Sequence, residues 1–166
     1  MAKITLGGKP TETVGALPKT HSKAPSFTLS AHDLSPRSLS DYGGQRKILN
    51  IFPSVDTAVC AASVRKFNET GAAMANTKVL CISRDLPFAQ ARFCAAEGIT
   101  GVEMLSDHKT GAFGKKYGVE ITHGAFAALL ARAVVVLDGD NTVVHAQLVA
   151  EIGQEPDYGA ALNTLA

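Results

Sequence analysis

The sequence predicts an α/β fold in which a mixed β-sheet carries helices on both faces. Apolar segments with strand character alternate with helical segments between residues 47 and 117, which favours parallel strands joined by helices. Two further apolar strands, Ala133–Leu137 and Thr142–Leu148, flank an Asp-Gly-Asp-Asn turn at residues 138–141, which favours an antiparallel hairpin. Both kinds of strand pairing are therefore expected in one sheet.

The segments before residue 47 predict short elements. Ile4–Leu6 and Thr11–Val14 flank the residues Gly-Gly-Lys-Pro, a pattern typical of a β-hairpin. Ser26–Ser30 alternates apolar and polar residues, as a half-buried strand does. Leu39–Tyr42 is followed by two glycines and predicts a single helical turn. Residues 18–25 are polar and rich in turn formers, so they predict a connector.

The rest of the chain predicts longer elements. The predicted strands are Lys47–Phe52, Lys78–Ser83 and Val102–Leu105, in addition to the two that flank the turn. The predicted helices are Cys60–Thr70, Phe88–Glu97, Thr110–Tyr117 and Pro156–Leu165. A glycine follows each of the first three helices directly, which is a common helix stop. This order of elements is similar to the thioredoxin fold with an added amino-terminal β-hairpin.

Composition narrows the classes of function. A chain of 166 residues with 46% hydrophobic and 19% charged residues predicts one globular domain over residues 1–166. A net charge of +1 without a Lys/Arg run does not favour nucleic acid or a membrane surface as partner. No apolar run reaches the roughly 18 residues that span a bilayer, and no secretory signal precedes the domain, so we expect a cytoplasmic protein. The dispersed histidines form no metal-ligand pattern, so no metal is expected.

Cys60 is the strongest candidate for chemistry. It lies at the junction between a predicted buried strand and a predicted helix, where backbone amides and the helix dipole stabilise a thiolate. The thiolate is the nucleophilic form of cysteine. Three cysteines fit no structural disulfide framework, which also favours a reactive thiol. The alternative is an inert buried side chain, because free cysteine is among the most buried residue types.

A cation near Cys60 is expected on energetic grounds. Ionising most of an ordinary thiol at neutral pH requires about 3.4 kcal/mol, whereas a helix terminus supplies about 0.3–2 kcal/mol. Arg132 is the candidate, because it precedes an apolar strand and a buried charge without a partner is costly. A structural ion pair or an arginine that reaches solvent is the alternative reading of Arg132. Arg65, on the helix after Cys60, is the alternative cation.

Other residues near these positions have two readings each. Pro53 fixes a turn after the strand, and Thr57 either caps the helix or donates its hydroxyl to the thiolate. Cys94 lies within a predicted helix, so it is either a second reactive thiol or an inert buried one. Cys81 lies in a buried-strand pattern, which favours a structural role over a reserve role in disulfide formation.

The pattern Pro53-x-x-x-Thr57-x-x-Cys60 resembles the active-site signature of the peroxiredoxins. The wider segment at residues 50–68 is similar to the bacterial thiol peroxidase branch, the atypical two-cysteine peroxiredoxins. Three further blocks share this similarity: DLPFAQARFC at 85–94, ARAVVV at 131–136 and EPDY at 155–158. The blocks run in the family's order and span essentially the whole chain. Residues 122–126 and 153–154 depart from the family's common residues, which bears on substrate preference and local packing.

The resemblance implies a role for each candidate residue. Cys60 would be the peroxidatic cysteine and Cys94 the resolving cysteine, which pair in an intrachain disulfide. Thr57 and Arg132 would hold and polarise the peroxide, and Pro53 would shield the thiolate from bulk water. The resemblance also implies hydrogen peroxide and alkyl hydroperoxides as substrates, thioredoxin as reductant, a homodimer and no cofactor. Antioxidant defence and redox homeostasis are the implied cellular roles.

The implied disulfide places a demand on the fold. A disulfide requires Cα atoms within about 7 Å, and residues on separate helices are often farther apart. We therefore expect the helix of Cys60, the helix of Cys94, or both, to unwind locally in each cycle. Three rival functions remain open at this point: a disulfide oxidoreductase, a redox sensor without turnover, and an interaction protein of thioredoxin fold.

Overall fold

The computed structural model describes all 166 residues, which form nine strands and four α-helices. The strands are β1 (Lys3–Leu6), β2 (Lys9–Glu12), β3 (Thr28–Ser30), β4 (Pro36–Ser38), β5 (Arg46–Ile51), β6 (Thr77–Ser83), β7 (Glu103–Ser106), β8 (Ala133–Leu137) and β9 (Val143–Leu148). The helices are α1 (Ala58–Thr70), α2 (Pro87–Glu97), α3 (Ala112–Lys116) and α4 (Tyr158–Asn163), and a 3-10 turn spans Leu39–Tyr42. Every predicted element is present, with ends that differ from the prediction by at most two residues.

Seven strands form one mixed sheet in the order β4-β3-β7-β6-β5-β8-β9. Strands β5, β6 and β7 are parallel, as expected for strands joined by helices. Strand β8 is antiparallel to β5, and β9 is antiparallel to β8. The predicted mixed sheet is confirmed. The sequence pattern does not predict β4, because its residues Pro-Arg-Ser lack the apolar alternation of a strand and form an edge where proline is tolerated.

Two apolar clusters lie on opposite faces of this sheet. Successive residues of β5 alternate between them, since Ile48 belongs to one cluster and Leu49 to the other. Helices α1 and α2 cover the face of Ile48 through Phe67 and Phe93, and α4 packs there as well. Helix α3 covers the opposite face through Phe113. The predicted placement of helices on both faces is confirmed, and none of the four helices has the length and apolarity required to cross a bilayer.

The topology brings four segments of the chain to one edge of the sheet. Strands β5 and β6 are parallel neighbours, so their carboxyl ends lie at the same edge. Ala133 of β8 pairs with Ile51 at the end of β5, which places the start of β8 there as well. Leu148 at the end of β9 pairs with Ala133. The segments after β5, after β6, before β8 and after β9 therefore meet.

The amino-terminal hairpin docks on the segment that follows β9. Strands β1 and β2 form a separate two-stranded sheet, and Gly7 and Gly8 connect them with φ angles of 58° and 79°. Positive φ at both positions of a two-residue turn favours glycine. The amide of Thr5 donates to the carbonyl of Ala150, and the amide of Ile152 donates to the carbonyl of Thr5, both at 2.8 Å. The hairpin thus supports the same edge of the sheet.

Candidate active site

Cys60 lies in the first turn of α1, directly after the loop that leaves β5. The residue is a free cysteine, fully buried, and the first turn of the helix packs in the apolar cluster on this face of the sheet. Arg132, the residue before β8, is also buried and donates from Nη2 to Cys60 Sγ at 3.2 Å. The two residues are 72 positions apart in sequence and meet because β8 pairs antiparallel with β5. The structure therefore places the predicted cation against the predicted nucleophile.

The remaining contacts of Arg132 leave its charge without a carboxylate partner. Its Nε donates to the carbonyl of Ile152 at 2.8 Å, in the segment after β9. Its Nη1 is buried and has no hydrogen-bond partner in the protein. A buried guanidinium without a carboxylate is costly unless an anion compensates it, and Cys60 Sγ is the group in position to do so. The readings of Arg132 as a structural ion pair or as an arginine that reaches solvent are wrong, because it is buried and pairs with no acid.

Arg65, the alternative cation, serves another purpose. It forms an ion pair with Glu97 of α2 at 3.3 Å, and its side chain is 43% exposed. It therefore links the solvent-facing sides of α1 and α2 and is engaged away from the thiol.

Thr57 and Pro53 belong to the loop between β5 and α1. Thr57 is the residue before α1, but its side chain makes no capping hydrogen bond. Its Oγ1 instead donates to the carbonyl of Ser54 at 3.1 Å, so the reading of Thr57 as a side-chain cap is wrong. Pro53 is buried directly after Phe52, as a residue that shields the thiol from water requires.

The loop is held by a residue that sequence reasoning did not single out. Asp85 follows β6 and accepts hydrogen bonds from Ser54 Oγ at 2.6 Å and from the amide of Val55 at 2.9 Å. The signal that could have found it is topological: the carboxyl ends of neighbouring parallel strands share an edge, so the residues after β5 and β6 meet.

The other two cysteines are on the same face of the sheet as Cys60. Cys94 lies in α2 and is half-buried, and burial raises the pKa of its thiol. Cys81 lies in β6 and is fully buried, and burial raises the pKa of its thiol to about 12 despite a hydrogen bond from Asn50. Both thiols are therefore protonated at neutral pH. Only Cys94 has part of its surface in solvent.

The fold is that of the redoxins, a class of thioredoxin-like proteins. The family model described as Redoxin matches residues 19–162. The chain is 53% identical to the thiol peroxidase of Mycobacterium bovis over 165 residues, which covers 99% of both sequences.

Solved structures share this fold. The peroxiredoxin-like protein from Aquifex aeolicus superposes with a TM-score of 0.93 at 36% identity, covering 99% of this chain and 96% of that one. The thiol peroxidase from Chromobacterium violaceum shares the fold, with a TM-score of 0.89 at 23% identity over 98% of this chain and 94% of that one. The chain therefore belongs to the Redoxin family, and within it to the thiol peroxidases, the thiol-dependent enzymes of the peroxiredoxin class.

Proposed function

We propose that Cys60 is the peroxidatic nucleophile in the reduction of hydrogen peroxide and alkyl hydroperoxides. The observation that carries this proposal is the hydrogen bond from Arg132 Nη2 to Cys60 Sγ at 3.2 Å, in a buried site without a competing carboxylate. Burial weakens the screening of charges, so the guanidinium stabilises the thiolate more than a surface arginine would. Cys81 is buried to the same extent but has no such cation, so burial alone does not select the nucleophile.

The first step is a displacement at oxygen. The thiolate sulfur forms an S–O bond with one peroxide oxygen while the O–O bond breaks, and the second oxygen leaves with the electron pair. That oxygen takes up a proton and departs as water or an alcohol, and Cys60 becomes a sulfenic acid. Arg132 Nη1 has no partner in the protein, so it is available to donate to a peroxide oxygen as negative charge develops. We assign Thr57 to holding the peroxide: its hydroxyl donates to the carbonyl of Ser54, which leaves Oγ1 free to accept from a peroxide O–H. We assign Pro53 to the exclusion of water.

The second step forms a disulfide. The thiol of Cys94 attacks the sulfenic sulfur, water is released, and a Cys60–Cys94 bond results. Cys94 is the better partner of the two remaining thiols because it is half-buried, whereas Cys81 is fully buried within β6. Both reacting residues lie in helices, so local unwinding of the first turn of α1, of α2 around Cys94, or of both is part of this step. An external dithiol, thioredoxin, then reduces the disulfide by exchange.

Two exposed apolar side chains favour a homodimer. Leu86 and Phe88 flank the start of α2 and are 53% and 66% exposed, beside the Asp85 that holds the Cys60 loop. Large apolar side chains exposed side by side favour burial against another protein surface. A second copy of the chain on this face would lie next to the active site.

Three free cysteines and reduction by a dithiol protein are consistent with a single-domain enzyme of the cytoplasm.

Peptide mapping after one equivalent of peroxide tests both steps. We expect one disulfide between the peptides of Cys60 and Cys94 in the unmodified protein. Cys94→Ser should still consume one equivalent and leave an oxidised Cys60, but it should not turn over with thioredoxin and its reductase. Cys81→Ser is the matched control and should behave as the unmodified protein. Peroxide consumption by Cys60→Ser would remove the assignment of the nucleophile, and oxidation without turnover in the unmodified protein would favour a redox sensor.

A further inference from the structure

Asp85 connects the loop of Cys60 to the segment that leads to Cys94. It lies two residues after the end of β6 at Ser83, and α2 begins two residues later at Pro87. Its carboxylate accepts three hydrogen bonds: from Ser54 Oγ at 2.6 Å, from the amide of Val55 at 2.9 Å and from Ser83 Oγ at 2.6 Å. The two hydroxyl distances are those of charge-assisted hydrogen bonds. Asp85 forms no ion pair, so its charge is balanced by these neutral donors.

Through Ser54, the carboxylate of Asp85 determines the shape of the loop before α1. Ser54 Oγ, which donates to Asp85, also accepts from the amide of Asp56 at 3.1 Å. The carbonyl of Ser54 accepts from the amide of Thr57 at 3.2 Å and from its Oγ1 at 3.1 Å. Thr57 is the residue before the helix that carries Cys60. Asp85 therefore acts on the nucleophile indirectly, by placing the loop and the first turn of α1.

The same network extends into α2. Ser83 Oγ donates to Asp85 and accepts from Nε2 of Gln90, a fully buried side chain of α2, at 3.1 Å. The backbone carbonyl of Asp85 accepts from Ser106 Oγ at the end of β7 at 2.5 Å. Both cysteine-bearing helices are thus tied to the carboxyl edge of the sheet at one residue. Unwinding of the first turn of α1, or of α2, would act on segments that these bonds hold in place.

We propose that Asp85 is a positioning residue that holds the Cys60 loop in the peroxide-reactive conformation and opposes the conformation that forms the disulfide. This inference rests on the proposed roles of Cys60 and Cys94. The bonds of Asp85 would therefore favour sulfenic acid formation and oppose disulfide formation. Weakening the Asp85 bonds slows sulfenic acid formation, because the thiolate is placed less well against Arg132. The same change accelerates disulfide formation, because less structure has to open.

Asp85→Asn is the most direct variant. The amide keeps the shape of the side chain, but it has one acceptor oxygen where the carboxylate has two, so it cannot accept from all three donors. We expect sulfenic acid formation to be roughly tenfold slower. We expect the conversion of sulfenic acid to disulfide to be faster. Acid-quenched single-turnover samples of the reduced protein, analysed by mass spectrometry, give both rate constants in one experiment.

The loop itself provides the matched control. Asp56 also links the loop to α2, through a 3.0 Å ion pair with Arg92, but the two side chains are 62% and 64% exposed. Asp56→Asn should leave both rate constants within about twofold, because an exposed ion pair contributes little. Ser54→Ala is the second test variant should Asp85→Asn not fold. It removes one donor to Asp85. Sulfenic acid formation should again be slower and disulfide formation faster, with smaller changes than in Asp85→Asn.

The outcomes separate this inference from the proposed function. Opposite changes in the two rate constants support the positioning role of Asp85. Unchanged rate constants, or an equal slowing of both, would overturn it and leave Asp85 as a residue that only stabilises the fold. Absence of sulfenic acid on Cys60 in the unmodified protein would instead overturn the proposed function, whatever Asp85→Asn does.

Discussion

Cys60 and Cys81 are both fully buried, and both belong to the same apolar cluster. Their polar neighbours differ. Cys60 Sγ accepts from the guanidinium of Arg132 at 3.2 Å, whereas Cys81 Sγ accepts from the neutral amide of Asn50 at 3.7 Å. Burial raises the pKa of Cys81 to about 12, although the hydrogen bond from Asn50 acts in the opposite direction. Two equally buried thiols in one core therefore differ in whether a positive charge reaches the sulfur.

The two sites are also connected. Asn50 donates from Nδ2 to Ser63 Oγ at 3.1 Å as well as to Cys81, and Ser63 Oγ donates to the carbonyl of Cys60 at 2.8 Å. This buried chain of hydrogen bonds consists of neutral groups, so it fixes geometry without supplying charge. The difference between the two thiols is therefore expected to depend on Arg132 rather than on the shared polar network.

Removal of the Arg132 guanidinium should have the largest effect on the difference between Cys60 and Cys81. We expect Arg132→Met to lower the rate constant for Cys60 oxidation by peroxide about 100-fold or more, because both the thiolate and the leaving oxygen lose a fixed donor. Arg132→Lys should recover part of the rate, since a lysine supplies charge but not the paired geometry of Nη1 and Nη2. Competition for peroxide against a reference peroxidase measures the rate constant.

Arg65→Gln is the control for that experiment. It removes a positive charge from α1 at a position where the side chain is 43% exposed and paired with Glu97. The rate constant should stay within about twofold of the unmodified value. A similar loss in Arg65→Gln and Arg132→Met would mean that net charge, rather than the contact with the sulfur, controls the reaction.

The next largest effect is expected at Glu151, in the segment that contacts Arg132. Its contribution to the stability of the fold depends on pH. The carbonyl of Ile152 accepts from Arg132 Nε. The preceding residue is Glu151, and its carboxylate accepts from the amides of Gly8 and Gly153, both at 2.8 Å. These and weaker bonds lower the pKa of Glu151 from 4.5 to about 2. Because the folded pKa is depressed, the stabilisation is present above about pH 4.5 and is lost as the pH falls towards 2.

Glu151→Gln should therefore be less stable than the unmodified protein at pH 6, and the difference in Tm should become steadily smaller as the pH falls from 4.5 to 2. Glu69→Gln, at an exposed position of α1, should show no such pH-dependent difference. Thermal unfolding between pH 2 and pH 6 provides the measurement. A difference in Tm that stays constant over this range would mean that the carboxylate does not anchor the hairpin to the segment after β9.

Local patterns in the sequence account for most of the fold and for the choice of Cys60 and Arg132 as candidates. Glycines after helices, a proline at the start of α2 and the apolar run of β8 predict the elements, because each acts within a few residues. Arg132 stands out because a charge beside an apolar strand requires a partner. Cys60 is the partner expected on energetic grounds, with Arg65 as the alternative cation, and the contact of Arg132 with Cys60 Sγ is present because β8 pairs with β5.

The residues that sequence reasoning missed act across long distances in the chain. Asp85 binds Ser54, 31 positions away, and Glu151 binds Gly8, 143 positions away. Such contacts depend on strand order and register, which no local pattern encodes. The interpretation of Thr57 as a side-chain helix cap is a different kind of error. A threonine before a helix commonly caps it, but here Oγ1 donates back to the carbonyl of Ser54, and local competition of this kind is common for short hydroxyl side chains.

Cys81→Ala should have the smallest effect on peroxidase activity and thereby sharpens the comparison of the two thiols. The rate constants for oxidation and disulfide formation should stay within about twofold of the unmodified values, because a protonated buried thiol takes no part in either step. The free energy of unfolding should fall by about 1 kcal/mol, since the change leaves a small void in a close-packed core. Denaturant unfolding and steady-state turnover with thioredoxin measure the two effects separately. A loss of turnover at unchanged stability would show that Cys81 reacts during the cycle, so burial without a cation would no longer mark an inert thiol in this core.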